Sequence, residues 1–103
     1  SRTEARLCAL AARDSARRLG RQAAAALPGT VAAPDLAAAV LDSLPGGPRR
    51  AAALGDDEMR RLVADRVRAD FEEEETVNVC GWVLSRTEAR LCALAALDDD
   101  RRR

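Results

Sequence analysis

The chain contains no His, Lys, Tyr or Ile, and one each of Met, Phe and Trp in 103 residues. Without His, Lys or Tyr, general acid–base work would fall to carboxylates, and none of these sits in a cleft-forming motif. Cys80 beside Gly81 is conceivable as a nucleophile, but the sequence supplies no base to activate it. The expectation is a protein that is not an enzyme. Cys8, Cys80 and Cys92 lack the ligand number and spacing of a zinc site. No phosphate-cradling loop exists either, since Pro45-Gly46-Gly47-Pro48 lacks the Lys and Ser/Thr such a loop needs. No cofactor is expected. No apolar run approaches the length of a membrane span, and no signal peptide is evident.

Large apolar residues are scarce. Thirteen Leu and seven Val dominate, and Leu, Val and Phe together make 21 of 103 residues. That is about the level at which chains struggle to fold alone. Ala supplies most of the remaining apolar bulk, which lets helices approach closely but buries little area per residue. A thin core that leans on a partner or on self-association is expected.

All seventeen basic residues are Arg, balanced by seventeen acids. The balance is global, not local. Residues 1–54 hold eight Arg against four acids, and residues 55–103 nine against thirteen. Halves of opposite sign favour packing on each other or head-to-tail association, and they make nucleic acid an unlikely partner for the whole chain.

Among what is present, one word stands out. SRTEARLCALAA occupies residues 1–12 and recurs, letter for letter, at 85–96; the copies first diverge where Arg13 faces Leu97. The first copy begins at Ser1 without an initiator Met, so a fragment or processed product is expected. Physically the word is a helix start. Ser85 followed three residues later by Glu88 is a capping box, and the residues after it are good helix formers without β-branching. At 100° per residue Leu91, Leu94, Ala95 and Asp98 share one side. Cys8 and Cys92 invite a disulfide if the twin helices pair; buried free thiols are the plainer reading.

The remaining elements follow from punctuation. A first helix is expected from about 3 to 26, with a small-residue stripe of Ala5, Cys8, Ala12, Ala16, Leu19, Ala23 and Ala26. Arg2, Arg6, Arg13 and Arg17 lie across from it. That Arg stripe is commonly just a solvated face; as an alternative function it would make the chain a nucleic-acid-binding module. Leu27-Pro28-Gly29 ends the helix. Leu27-Pro28-Gly29-Thr30 shares letters with a sortase signal, but Val31 stands where Gly is required.

A second helix opens at Pro34 with Leu36, Val40, Leu41 and Leu44 on one face, and stops at the Pro45–Pro48 breaker. Residues 49–54 suit a short helical turn closed by Gly55. A third helix starts at Asp56 or Asp57 with Met59, Leu62, Val63, Val67 and Phe71 in i, i+3, i+4 rhythm. Asp57–Arg61 and Asp65–Arg68 pairs would support it. Glu72 to Glu75 then place four like charges at the wrong end for the helix dipole, which predicts fraying or a compensating basic partner. Thr76-Val77-Asn78-Val79 and Trp82-Val83-Leu84 flank Cys80-Gly81 as a two-residue β-hairpin near 76–84. Trp82 is either a core anchor or a partner contact.

The stretch from Asp70 to Leu97 carries Phe71, Thr76-Val77, then Gly81-Trp82-Val83-Leu84-Ser85 and the word that follows. It resembles the C-terminal part of small accessory subunits of bacterial polyol and gluconate dehydrogenases. Cys80-Gly81 stands where that pattern would have Asp-Gly, and no twin-arginine signal is present. The resemblance implies a non-catalytic protein at the periplasmic side that escorts a larger oxidoreductase subunit; without it a cytoplasmic location is expected.

These readings combine into a mainly α fold of three to four helices with one short hairpin. Residues 1–97 form a single domain and 98–103 a charged tail. The expected function is a helical interaction or accessory subunit. Its partner interface is read as Met59, Leu62, Val63, Phe71, Trp82, Leu84, Leu91 and Leu94. Homo-oligomers are expected through the duplicated segment, with copy 1–12 of one molecule able to take the place of 85–96 in another.

Overall fold

A computed structural model of the protein describes residues 14–27 and 32–101. Within them lie α1 (Asp14–Ala26), α2 (Ala33–Ser43), α3 (Gly47–Ala53), α4 (Asp56–Glu72), β1 (Thr76–Val79), β2 (Trp82–Ser85) and α5 (Arg86–Arg101). The mainly helical class and the single hairpin match expectation; the described helices number five rather than three or four. The additional helix is α3. Its Pro48 lies in the first turn, where a missing N–H costs nothing, so the breaker that ends α2 also opens α3.

The helix α5 is central. It packs against α1, α2, α4 and both strands. Ala89, Ala93, Leu94, Ala95 and Ala96 are all buried, a wider arc than the single side expected from Leu91, Leu94 and Ala95. The reason is composition. A helix rich in Ala can be surrounded by other helices without clash, whereas large side chains would hold its neighbours off.

The closest approach is to α1. A methyl group at Gly20 would lie 2.5 Å from Ala96 Cβ and from the Cys92 carbonyl oxygen. Among the described side chains, Gly20 and Ala23 of α1 and Leu27 just after it are buried. Ala26, expected on the small-residue stripe, is exposed, because its step from Ala23 turns it off the face that meets α5. Leu36, Ala37, Val40, Leu41 and Leu44 of α2 and its following turn close the core with Ala51 and Met59.

The hairpin pairs Val79 with Trp82 and Thr76 with Ser85, antiparallel around a two-residue loop. Cys80 and Gly81 both have positive φ, 51° and 85°, the primed-turn geometry that suits strand twist. Asn78 Oδ1 accepts from the Gly81 N–H at 3.1 Å and holds the turn. Residues 98–101, expected as a solvated tail, continue the backbone of α5. No break in helix propensity separates them from Leu97 strongly enough to stop it.

The first copy of the duplicated word, Cys8 and the side chain of Arg17 lie outside the described residues, as do Arg2, Arg6 and Arg13.

Candidate functional site

The start of α5 is assembled from three separate pieces of chain. The capping box forms as the sequence implies. Ser85 Oγ accepts from the Glu88 N–H at 2.9 Å, and Glu88 Oε1 accepts from the Ser85 N–H at 3.0 Å. The Arg86 N–H donates to the Glu75 carbonyl at 2.9 Å, extending the hairpin ladder by one rung. That leaves the Thr87 N–H, and Asp70 takes it: Oδ2 accepts at 2.9 Å across seventeen residues of sequence. Every early amide of α5 is thus satisfied from within the chain, which leaves no anion site there.

Asp70 is 4% exposed, at the last turn of α4. Its other oxygen, Oδ1, accepts from Arg66 Nε and lies 2.9 Å from Arg66 Nη2. Burial by itself would push the Asp70 carboxyl up. Hydrogen bonds from the Thr87 hydroxyl and amide and from Arg66, with the Arg66 charge, outweigh burial and hold it below the usual carboxylate range. Arg66 also reaches Glu73 Oε2 at 2.7 Å. Asp70 was not singled out by sequence reasoning. The available signal was a charge at position 70 of the 59, 62, 63, 66, 67 stripe, where an apolar residue is usual.

The acidic run ends differently from expectation. Glu73 to Glu75 close α4 in a Schellman turn: Glu75 N–H donates to the Asp70 carbonyl at 2.7 Å and Glu74 N–H to that of Phe71 at 3.3 Å. Glu74 sits at φ 60°, where Gly is usual. The compensating basic partners come from the chain itself, Arg66 to Glu73 and Arg86 Nη1 to Glu75 at 2.6 Å. Along α4, Asp65 meets Arg68 as expected, but Asp57 meets Arg60 rather than Arg61. The i, i+3 neighbour reached it instead of the i, i+4 one.

The expected interface residues divide into three groups. Met59 and Leu94 are fully buried inside the chain, so they are core and present no surface. Leu62, Val63, Leu84 and Leu91 are half-buried against that core. Phe71 and Trp82 are exposed, at 46% and 67%, together with Val83 at 59%, which was not singled out. Of the two readings of Trp82, the core anchor is therefore excluded. Val79, its cross-strand partner, fills the core position instead and leaves the indole at the hairpin tip.

The thiols separate by setting. Cys80 is exposed and free in the turn; Cys92 is half-buried and free. Burial pushes the Cys92 thiol up, and the Glu88 carboxylate adds to it, so little thiolate is present at neutral pH. Arg90 is half-buried with its guanidinium pushed down by burial and by neighbouring Arg86, against the pull of Asp70 and Glu75. No group of three metal-capable side chains exists among the described residues. None of the described helices is long and apolar enough to cross a membrane.

No family model, curated protein or solved structure matches this chain. Its functional reading therefore rests on the geometry just given.

Proposed function

We propose that the protein is a non-catalytic helical interaction subunit whose partner-facing surface is the hairpin tip. One observation carries this reading: the chain's single Trp, 67% exposed beside Val83 at 59%, is spent on the surface of a molecule short of large core residues. Aromatic side chains bury much area at little conformational cost and recur at interface hot spots. A larger oxidoreductase subunit, as the accessory-subunit resemblance implies, is the partner to look for first. Immobilised full-length protein should retain such a subunit from the source cell. Trp82→Ser should lose it while keeping the wild-type melting temperature. Equal retention by both chains would overturn the reading.

Self-association through the duplicated word belongs to the same proposal. The berth of α5 reads Ser85, Thr87, Ala89, Ala93, Leu94, Ala95 and Ala96, all buried, and each has an identical counterpart in residues 1–12. The resident copy holds the advantage. A short hairpin tethers it at high effective concentration, and Leu97 packs on the core where the first copy continues with Arg13. Each molecule has two copies of the word and one such berth, so exchange adds no net contact in the native state. It takes place when resident helices are released, as in refolding at high protein concentration.

A further inference from the structure

The outer face of α4 is unevenly covered. Its packing is chiefly against α5 and β2. Val63 and Val67 are half-buried, Ala64 is exposed and Phe71 is 46% exposed, so the i, i+4, i+8 line 63–67–71 forms an apolar strip that reaches the surface. Directly after it come Glu72 and Glu74, both exposed and without an ion-pair partner among the described residues. Residues 56–75 together hold nine acids against four Arg, and with Arg86, which pairs with Glu75, the net charge there is −4.

The matching charge is in the same chain. Residues 1–26 hold six Arg against two acids, net +4, interleaved with Leu7, Leu10 and Leu19. We infer that the α4 strip and its acidic end dock the basic N-terminal region, residues 1–26, of a second copy of the chain. Charge complementarity selects this occupant. Opposite ends attract, while the formal net charge of zero means that two copies do not repel each other as whole bodies.

The contact is heterologous, because the donor segment, residues 1–26, and the acceptor face on α4 are different parts of the chain. Association therefore proceeds head to tail, into a ring or an open chain rather than a twofold dimer. This goes beyond the hairpin surface proposed above and does not need it, since Trp82 takes no part. It also differs from exchange of the duplicated word, which requires a helix to leave the core and is insensitive to surface charge.

The test is sedimentation velocity on the full chain across a concentration series, at low ionic strength and again at about 0.5 M NaCl, where surface charges are screened within a few ångströms. Wild-type mass should rise with concentration at low salt and fall toward monomer at high salt. Glu72→Lys/Glu74→Lys should associate at least roughly tenfold more weakly. Mixed with wild type, that variant should still associate, because its own basic end meets an intact acidic face. Should the double variant fail to fold by circular dichroism, Glu72→Gln/Glu74→Gln gives the same reading with a smaller fold-change. Wild-type chain that stays monomeric at low salt overturns the inference. So does association that ignores salt, or that both variants share with wild type. Trp82→Ser should leave this behaviour unchanged, which keeps its failure separate from failure of the hairpin surface.

Discussion

Removing the Asp70 carboxylate would leave a buried Thr87 N–H without an acceptor and Arg66 without its buried partner. Asp70→Ala is expected to cost about 2–3 kcal/mol in urea denaturation, the range for losing hydrogen bonds to a charged acceptor. Its pH dependence follows from the direction of its shift. The folded carboxyl titrates below its ordinary value of roughly 3.9, so the unfolded chain binds that proton more readily. The contribution is fully present above the unfolded value and is lost as pH falls through the folded one. Wild-type stability should therefore drop more steeply below about pH 4 than that of Asp70→Asn, measured by urea midpoints across pH. Gly20 is the second residue on which packing turns. A Cβ there meets backbone oxygen as well as Ala96, and backbone cannot rotate away. Gly20→Ala should destabilise by about 1–3 kcal/mol despite improving helix propensity, checked by thermal melting.

At the scale of elements, the ends of helices explain more than their middles. The end of α4 carries Glu74 in a left-handed conformation that costs a non-Gly residue about 1–2 kcal/mol. Glu74→Gly is expected to stabilise by about 0.5–1 kcal/mol after the added unfolded-state entropy of Gly is subtracted. A urea midpoint shifted upward with unchanged slope would show it. Ser85→Ala removes the hydroxyl that accepts from Glu88 and should cost about 1 kcal/mol. The capping box and the hairpin turn were both legible from residue spacing, because their partners lie within three or four residues. The pairing of Asp70 with Thr87 was not legible. Its seventeen-residue separation places it beyond any local pattern, and only the path of the hairpin brings the two together.

For the molecule as a whole, the exchange proposed above would set two identical segments in competition for the central place that residues 85–96 hold, with what is attached to each favouring the resident copy. Chains refolded at high concentration should contain a slowly reverting oligomer, measured by size-exclusion with light scattering. In about 0.5 M NaCl, which screens charge-driven association, chains lacking residues 1–12 should refold without that slowly reverting oligomer. Identical profiles would remove the exchange model. Periodicity marked out α2, α4 and the hairpin, but gave no rank among the helices. That α5 lies at the centre depends on how Gly20, Ala93 and Ala96 allow neighbours on several sides at once, which a one-sided helical wheel cannot express. The same limit explains the interface residues. Met59 and Leu94 belong to the same apolar periodicity as their half-exposed neighbours, and only packing distinguishes core from surface.

What sequence alone determined is local: where α2 stops, where α4 and α5 start, the two-residue turn, the capping box, and the opposed charge of the two halves. Each depends on residues close together in the chain or on simple sums. Tertiary structure decided which helix the others surround, that Trp82 faces outward, and that a buried carboxylate secures the start of that central helix. Those outcomes depend on distant segments meeting, and their energies come from burial and from amides that find acceptors only once the chain has closed.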